Sequence, residues 1–422
     1  MSFTTFNNSF QRVIGYLWDP EPKNTDTMNS IWLLGQEYPS ALPAPTTPVE
    51  DDLSEAQQTW PRAFLDDFNS RIWMTYRHDF PPIPRSNSTA GMSIMTAVRA
   101  QLPVHAQGFT SDQGWGCMIR SGQCVLANAL AILQFGRSWR KGQHPEEEKA
   151  LLALFADDPE APFSIHKFVH QGELRDIRSG SWFGPTPTAQ CIKALADAHS
   201  TPLAVYVTLD GNLYSDTFHR HSSSRSNHPT SPQEFTPVLL LIVTRLGLDS
   251  TNPLYHEALK ATLEMPHSIG IAGGRPSSSH YFIGVQGDYL FYLDPHVVRP
   301  AVTFKNPTSP SRPSSSSSPQ SPGSSVSSGP TSPGPGAASG GISNEDWESF
   351  HTSRLRRLHV KDVDPSMMFA FLIKSEEEWR EFRQGVKEVQ GRSVVHVGEN
   401  EPVSSVRDSA VEEVVSEDDE DM

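Results

Sequence analysis

The sequence predicts an α+β fold in which a helix carrying a cysteine packs against a central sheet. Three continuous apolar runs have the composition of strands that are buried on both faces. These runs occupy residues 203–207, 238–243 and 367–373. After Cys117, apolar residues recur at steps of three and four as far as Leu133, the spacing of one buried helix face.

The N-terminal part of the chain is polar and contains scattered aromatic residues. We expect residues 1–27 to form a flexible arm. Within it, Phe10-Gln11-Arg12-Val13 has the spacing of short strand-adding motifs, although patterns of four residues often arise by chance. Residues 31–35 then predict the first ordered strand.

A helical pattern begins at Ala63. Phe64, Phe68, Ile72 and Tyr76 fall four residues apart, which predicts one helix that ends at Tyr76.

Residues 110–123 read as a tight polar loop that runs into a helix, with Cys117 at or near the first turn. A helix N-terminus favours a thiolate over a thiol, so we expect a lowered pKa for Cys117. Its unpaired N–H groups can also stabilise an oxyanion. Gly114 and Gly116 permit a close approach of backbone and substrate. A buried structural cysteine is the commoner alternative, and this loop alone leaves both interpretations open.

Two further β-like runs, 280–285 and 289–293, are joined by a turn and predict a hairpin. The second run ends in Asp294-Pro295-His296, where proline ends the strand and fixes the backbone. A cysteine nucleophile needs a histidine base, and the histidine needs a third group that sets its tautomer. A surface loop with incidental charge is the alternative, but the two signals together are stronger than either alone.

Other stretches predict local structure. Residues 180–187 contain two glycines and two prolines, and we expect a stiff turn that opens a helix. Residues 270–276 are glycine-rich and predict a loop that is mobile unless packed, without the spacing of a phosphate cradle. Ser375 and Glu378 predict a capping box for a helix with Trp379 and Phe382 on its apolar face.

Two segments have compositions that are typical of disorder. Residues 306–342 consist almost wholly of Ser, Pro, Gly and Thr, and cannot bury a core. We therefore expect a disordered insert inside one domain, which spans residues 28–390. Residues 391–422 predict an acidic disordered tail, which accounts for much of the formal net charge of −15.

Composition excludes several classes of protein. The chain of 422 residues has three cysteines, a count that argues against a disulfide-built secreted domain. No cysteine spacing suits a zinc site, and no apolar stretch or basic N-terminus predicts a membrane span or signal peptide. No basic face predicts nucleic-acid binding. We expect a cytoplasmic protein, with the nucleus as a further location.

The motifs together resemble a known family. Gly-Trp-Gly-Cys-Met-Ile-Arg at 114–120 and Leu-Asp-Pro-His at 293–296 resemble the autophagins, the papain-clan cysteine peptidases of autophagy. Residues 71–77, 180–185, 280–284 and 364–366 also fit. The resemblance covers roughly residues 30–390 and is interrupted by insertions.

The resemblance implies a papain-like core with a small inserted subdomain around residues 130–200. It implies Cys117 as nucleophile, His296 as base and acid, and Asp294 as the group that orients His296. The Tyr76 hydroxyl and the Cys117 N–H would stabilise the oxyanion. The site residues implied for substrate binding are Trp182, over a narrow slot, and Gly273 and Gly274, in a loop that lifts to open the site. No cofactor and no metal are implied.

The implied substrate is a ubiquitin-like autophagy modifier. The enzyme would cleave after its C-terminal glycine, both in the soluble precursor and in the form conjugated to phosphatidylethanolamine. We therefore expect transient contact with autophagosomal and preautophagosomal membranes, and a monomer. Two alternatives remain open: a thiol peptidase for another ubiquitin-like protein, and a catalytically silent adaptor that binds the modifier.

Overall fold

The computed structural model describes residues 20–40, 53–86, 108–223, 235–274, 278–303, 342–389 and 392–402. The Phe10-Gln11-Arg12-Val13 motif, nearly all of the insert 306–342 and residues 403–422 lie outside this described part. Within it, no helix has the length and apolar composition needed to cross a membrane.

Helices and strands alternate irregularly along the chain, as expected for an α+β fold. The helices are α1 Arg62–Ser70, α2 Cys117–Phe135, α3 Pro145–Ala153, α4 Ile165–Glu173, α5 Pro185–Ala198, α6 Ser215–Ser222, α7 His256–Glu264, α8 Asn344–Glu348 and α9 Glu376–Glu388. The strands are β1 Ile31–Leu33, β2 Gln36–Tyr38, β3 Tyr76–Ile83, β4 Phe109–Ser111, β5 Ala204–Thr208, β6 Asn212–Tyr214, β7 Val238–Arg245, β8 Ser268–Gly273, β9 His280–Gln286, β10 Tyr289–Leu293, β11 Val298–Pro300, β12 Arg357–His359, β13 Ser366–Ile373 and β14 His396–Gly398.

A nine-stranded sheet forms the centre of the fold, with the order β12-β10-β9-β8-β13-β7-β5 and with β1 and β2 beside β9. Most neighbours are antiparallel, and β5 and β7 are parallel. Side chains of β13 alternate between two cores: Met368 and Ala370 enter one, Phe369 and Phe371 the other. The apolar runs are continuous because both faces of the sheet are covered.

The predicted hairpin is confirmed, since β9 and β10 pair antiparallel around Gly287. Helix α2 packs against β8 and β9 and is buried from Cys117 to Ile132. The helices of residues 145–198 contribute to the same core as α2 and the sheet. The nucleophile candidate therefore lies on a helix that packs against the strand leading to the hairpin.

One helix is shorter than predicted. Helix α1 ends at Ser70, and Tyr76 begins strand β3, so the prediction of a helix ending at Tyr76 was wrong. Ile72 and Met74 are both buried in the extended segment between these elements. An extended segment that is buried on both sides can carry apolar residues at any spacing. Here Ile72 and Tyr76 happen to continue the four-residue spacing of α1, although they lie outside the helix.

The glycine-rich stretch also differs from the prediction. Gly270 and Gly273 lie in the buried strand β8, which pairs with β9 and β13, instead of in a mobile loop. A Cβ on Gly273 would come within 2.7 Å of Met367 Cβ. The glycines of this strand thus allow neighbouring backbones to approach closely. Gly274 follows the strand with a φ of +147°.

Both ends of the domain extend further than expected. Pro22 O accepts a hydrogen bond from Trp60 Nε1 (2.8 Å), so the last residues of the predicted arm pack on the domain. In the predicted tail, β14 pairs with β6, and Val394 and Val395 are buried. These short segments lie in polar stretches of sequence, and they are ordered because the folded domain provides hydrogen-bonding and packing partners for them.

The cap of α9 matches the prediction in part. Ser375 Oγ accepts from the Glu378 N–H at 3.1 Å, as a capping residue should. The Glu378 carboxylate accepts from the Lys374 N–H at 2.7 Å, instead of closing the box on Ser375. Trp379, Phe382 and Val386 form the buried face of the helix.

Candidate active site

The cysteine loop ends where α2 begins, which confirms the predicted position of Cys117 in the first helical turn. Gly114 has a φ of +88°, in the region that favours glycine. Gly116 precedes the helix, and a Cβ there would lie 2.3 Å from Asp112 Oδ2. Trp115 is held between them by its indole N–H, which donates to Ser111 O (3.1 Å).

The Asp294-Pro295-His296 segment forms a tight pair at the end of β10. His296 Nδ1 lies 2.6 Å from Asp294 Oδ1, and the same oxygen accepts from the His296 backbone N–H at 3.0 Å. Asp294 is buried, while His296 is partly exposed. Since Nδ1 faces the carboxylate, Nε2 is the ring nitrogen left for chemistry.

The segment leading into strand β3 joins the two halves of the site. The Tyr76 N–H donates to Pro295 O (2.8 Å), and Trp73 Nε1 donates to Asp294 O (2.7 Å). The Tyr76 ring packs edge-on against His296, with centroids 5.4 Å apart. This contact explains why Tyr76 has to be extended: as a helix end it could not pair with β11 beside His296.

The titration of the site favours a thiolate–imidazolium pair. Burial would raise the pKa of Cys117, but contacts with His296, the Ser279 N–H and the Tyr76 hydroxyl lower it. Burial lowers the pKa of His296, but Asp294 and the Cys117 thiolate raise it to about 9. Burial also opposes ionisation of Asp294, whose pKa the His296 hydrogen bond and nearby His280 nevertheless hold well below its usual range.

Two polar atoms beside the sulfur are available to a substrate. Neither Tyr76 Oη nor His296 Nε2 makes a hydrogen bond of standard geometry within the described part of the chain. Both side chains are nevertheless near enough to Cys117 to shift its pKa. Burial and the Cys117 thiolate raise the pKa of Tyr76 well above its usual range, so its hydroxyl stays protonated and can donate.

Trp182 lies on the turn that precedes α5, as predicted, and is partly buried against the core. Its indole N–H has no hydrogen-bond partner among the described residues. The same turn contacts the cysteine loop indirectly: Gly180 packs on Phe109, whose ring lies 5.8 Å from that of Trp115. The turn that carries Trp182 therefore reaches the cysteine loop through Gly180 and Phe109.

A buried ionic cluster supports the cysteine loop and was missed by sequence reasoning. Asp112 Oδ2 accepts from Arg120 Nε (2.7 Å), and Arg120 Nη1 pairs with Asp157 Oδ1 (2.8 Å). Asp112 also accepts from the N–H of Arg77, next to Tyr76 (2.7 Å). The available signal was Arg120 itself, because a charged residue inside a buried helix needs a buried partner.

One group of side chains near Cys117 has donor atoms of the kind that bind metals. Ligand atoms of His280, Asp294 and His296 lie within 4.8 Å of one another. Asp294 and His296 already hydrogen-bond to each other in this group. We interpret the group as part of an acid–base site, in which the carboxylate orients an imidazole beside a thiol.

Comparison with known proteins agrees with this chemistry. The model of the peptidase C54 catalytic domain matches residues 61–385, which include the cysteine loop and the Asp-His pair. The chain belongs to the peptidase C54 family. It is therefore a cysteine peptidase, which confirms the resemblance to the autophagins and the papain-like fold predicted from it.

Fungal relatives match along almost the whole chain. A probable cysteine protease atg4 from Botryotinia fuckeliana is 44% identical over 98% of this chain and 97% of its own length. The protein with the same name from Sclerotinia sclerotiorum is 43% identical over 98% and 97%. That from Aspergillus niger is 45% identical over 92% and 91%.

Proposed function

We propose that this peptidase cleaves a ubiquitin-like autophagy modifier after its C-terminal glycine. It would prime the precursor, and it would release the modifier from phosphatidylethanolamine. The observation that carries the proposal is the convergence of Cys117, His296 and Tyr76 at one site, in a family of cysteine peptidases whose relatives are named atg4. The choice of substrate follows from the resemblance to the autophagins.

Acylation begins with Cys117 and the glycine carbonyl. The thiolate attacks the carbonyl carbon, and the electron pair of the double bond moves to oxygen. The Cys117 N–H, at the start of α2, and the Tyr76 hydroxyl donate to this oxyanion. When the intermediate collapses, the C–N bond breaks, and His296 Nε2 gives its proton to the leaving amine. A thioester remains on Cys117.

Deacylation uses the same groups in reverse. His296, now neutral, takes a proton from water, and the resulting hydroxide equivalent attacks the thioester. The C–S bond then breaks, which releases the carboxylic acid and restores the thiolate–imidazolium pair. Asp294 keeps His296 Nδ1 protonated throughout, so that Nε2 faces the reaction in both steps.

Substrate selection is assigned to Trp182 and to the connection after β8. A flat indole over a narrow slot admits a tail without side chains, which fits cleavage after glycine. Gly274 begins the connection that returns to Ser278 and Ser279, beside the nucleophile. A displacement of Gly274 on binding would widen access to Cys117, which restricts the gating role proposed for Gly273 and Gly274 to Gly274, since Gly273 lies in the paired strand β8.

The decisive experiment is cleavage of a purified modifier precursor that carries residues beyond its glycine. We expect the wild type to cleave after glycine and Cys117→Ala to bind without cleaving. Cys191→Ala is the matched control: this cysteine is also buried, and burial raises the pKa of its thiol to about 11. It should retain cleavage.

Other outcomes select the alternatives. Binding without cleavage by the wild type would indicate an adaptor. Cleavage of a different Gly-tailed modifier in a side-by-side panel would indicate another substrate. Release of the modifier from phosphatidylethanolamine is measured separately on vesicles that carry the conjugate, and failure there would restrict the function to priming.

A further inference from the structure

Ser279 lies between the nucleophile helix and the strand that leads to the Asp-His pair. It directly precedes β9 and is fully buried. Its hydroxyl oxygen is 3.2 Å from Met118 Sδ and 3.2 Å from Ser121 Oγ, both fully buried on α2. Its backbone N–H faces the Cys117 thiol. One residue thus contacts α2 through its side chain and the reactive sulfur through its backbone.

The other side of Ser279 is closed by Gly274. A Cβ on Gly274 would come within 2.2 Å of Ser278 O and 2.7 Å of Ser279 Cα. Gly274 is therefore packed closely against the backbone of Ser278 and Ser279, while the Ser279 hydroxyl contacts α2 on the opposite side. Ser279 is thus held between Gly274 and α2, on the side of the helix that carries the sulfur.

We propose that Ser279 is a positioning residue for the nucleophile: its hydroxyl fastens the start of β9 to α2 and so directs the Ser279 N–H toward Cys117 Sγ. An N–H directed at the sulfur stabilises the thiolate more than the thiol, because a charged acceptor makes the stronger hydrogen bond. The inference rests on the proposed role of Cys117 as the nucleophile.

A structural role alone would produce a different result from a positioning role. A hydroxyl that only satisfies buried partners would affect the stability of the fold, not the acidity of Cys117. The discriminating measurement is therefore the pH dependence of Cys117 alkylation by iodoacetamide, located by peptide mass mapping and combined with thermal melting.

We expect Ser279→Ala to move the alkylation midpoint upward by about 0.5 to 1 pH unit, since a hydrogen bond to a charged group is lost or weakened. Cleavage should fall most at the acidic end of the profile. Ser121→Ala removes the partner from the other side and should produce a shift in the same direction. The double variant should show less than the sum, because both changes break one contact.

Ser278→Ala is the matched control, since Ser278 is the half-buried neighbour in the same connection. Its alkylation profile should coincide with that of the wild type. An unchanged profile for Ser279→Ala with a lowered melting temperature would overturn the inference and leave the proposed function intact. A Cys117 that is inert to iodoacetamide in the wild type would overturn the proposed function as well.

Discussion

Tyr76 shows how much depends on a single hydroxyl. Its ring packs on His296 and its backbone N–H donates to Pro295 O, while the hydroxyl makes no hydrogen bond of standard geometry within the described part of the chain. Ring and backbone therefore have structural roles that Phe could also fill. The hydroxyl alone distinguishes the oxyanion role from packing.

Tyr76→Phe should lower kcat by about 10²- to 10³-fold, the usual effect of losing one oxyanion donor. KM and the melting temperature should change little, since the ring remains. Steady-state cleavage of the modifier precursor measures this effect. Tyr255→Phe, on the half-exposed Tyr255, is the control, and equal rates for the two variants would exclude the oxyanion role.

His351 is a buried titratable residue away from the nucleophile. Its Nδ1–H donates to Asn69 O (3.1 Å), and Nε2 has no partner in the described structure. Burial, aided by the nearby Lys141, lowers the pKa of His351 to about 3. The native state thus keeps this imidazole neutral where an unfolded chain would protonate it.

The sign of the pH effect follows from that difference. Below the unfolded-state pKa of about 6.5, the imidazole is protonated in the unfolded chain, whereas the native state binds this proton only near pH 3. The free energy of unfolding therefore decreases as the pH is lowered through this window. Between about pH 7 and about pH 5, His351 should cost about 2 kcal/mol. Urea unfolding of the wild type and of His351→Asn at both pH values tests this prediction. If the free energy of unfolding decreased equally in the two proteins between these pH values, the prediction would be contradicted.

At the scale of elements, the start of α2 depends on buried charge. Asp112 is held by Arg120 and by the Arg77 N–H, and its own backbone oxygen accepts from Gly116. The carboxylate thus links β3, the cysteine loop and the first turns of the helix. Removing one partner of a buried pair leaves the other charge uncompensated.

Asp112→Asn should lower the free energy of unfolding by about 3 to 5 kcal/mol, the usual effect of breaking a buried ion pair. Asp66→Asn disrupts an exposed pair with Arg62 and should cost less than about 1 kcal/mol. Denaturant unfolding compares the two. If both variants lost less than about 1 kcal/mol in the free energy of unfolding, the ion pair between Asp112 and Arg120 would not be what holds the cysteine loop.

At the scale of the whole molecule, the C-terminal segment closes the fold. Strand β14 pairs with β6, Val394 and Val395 are buried beside it, and Glu401 pairs with Arg220 at 2.9 Å. The domain therefore includes residues beyond 390, although the composition there is polar.

Two truncations test where the domain ends. Removing 403–422 should leave the free energy of unfolding unchanged. Removing 392–422 should lower it by about 3 to 6 kcal/mol, an upper estimate for losing the burial of two valine side chains. Equal stability of the two truncated proteins would show that the packed segment adds nothing to the fold.

Strong local patterns were sufficient for much of the secondary structure. The buried strands, the β9–β10 hairpin and the position of Cys117 at the start of a helix all follow from spacing within about 20 residues. The Asp294-His296 pair could be predicted for the same reason, since both residues lie on one strand end. The roles assigned to Cys117, Asp294, His296, Tyr76 and Trp182 stay predictions until the variants are measured.

Patterns that depend on distant partners could not be read from the sequence. Tyr76 is extended because it pairs with β11, more than 200 residues away, and the glycine-rich stretch is a strand because β9 and β13 flank it. The contacts of Ser279 with Ser121 cross 158 residues. Local spacing determined the elements and the reactive residue types. Tertiary structure alone decided which extended segments pair and which buried polar groups meet, because those contacts exist only once the chain has closed on itself.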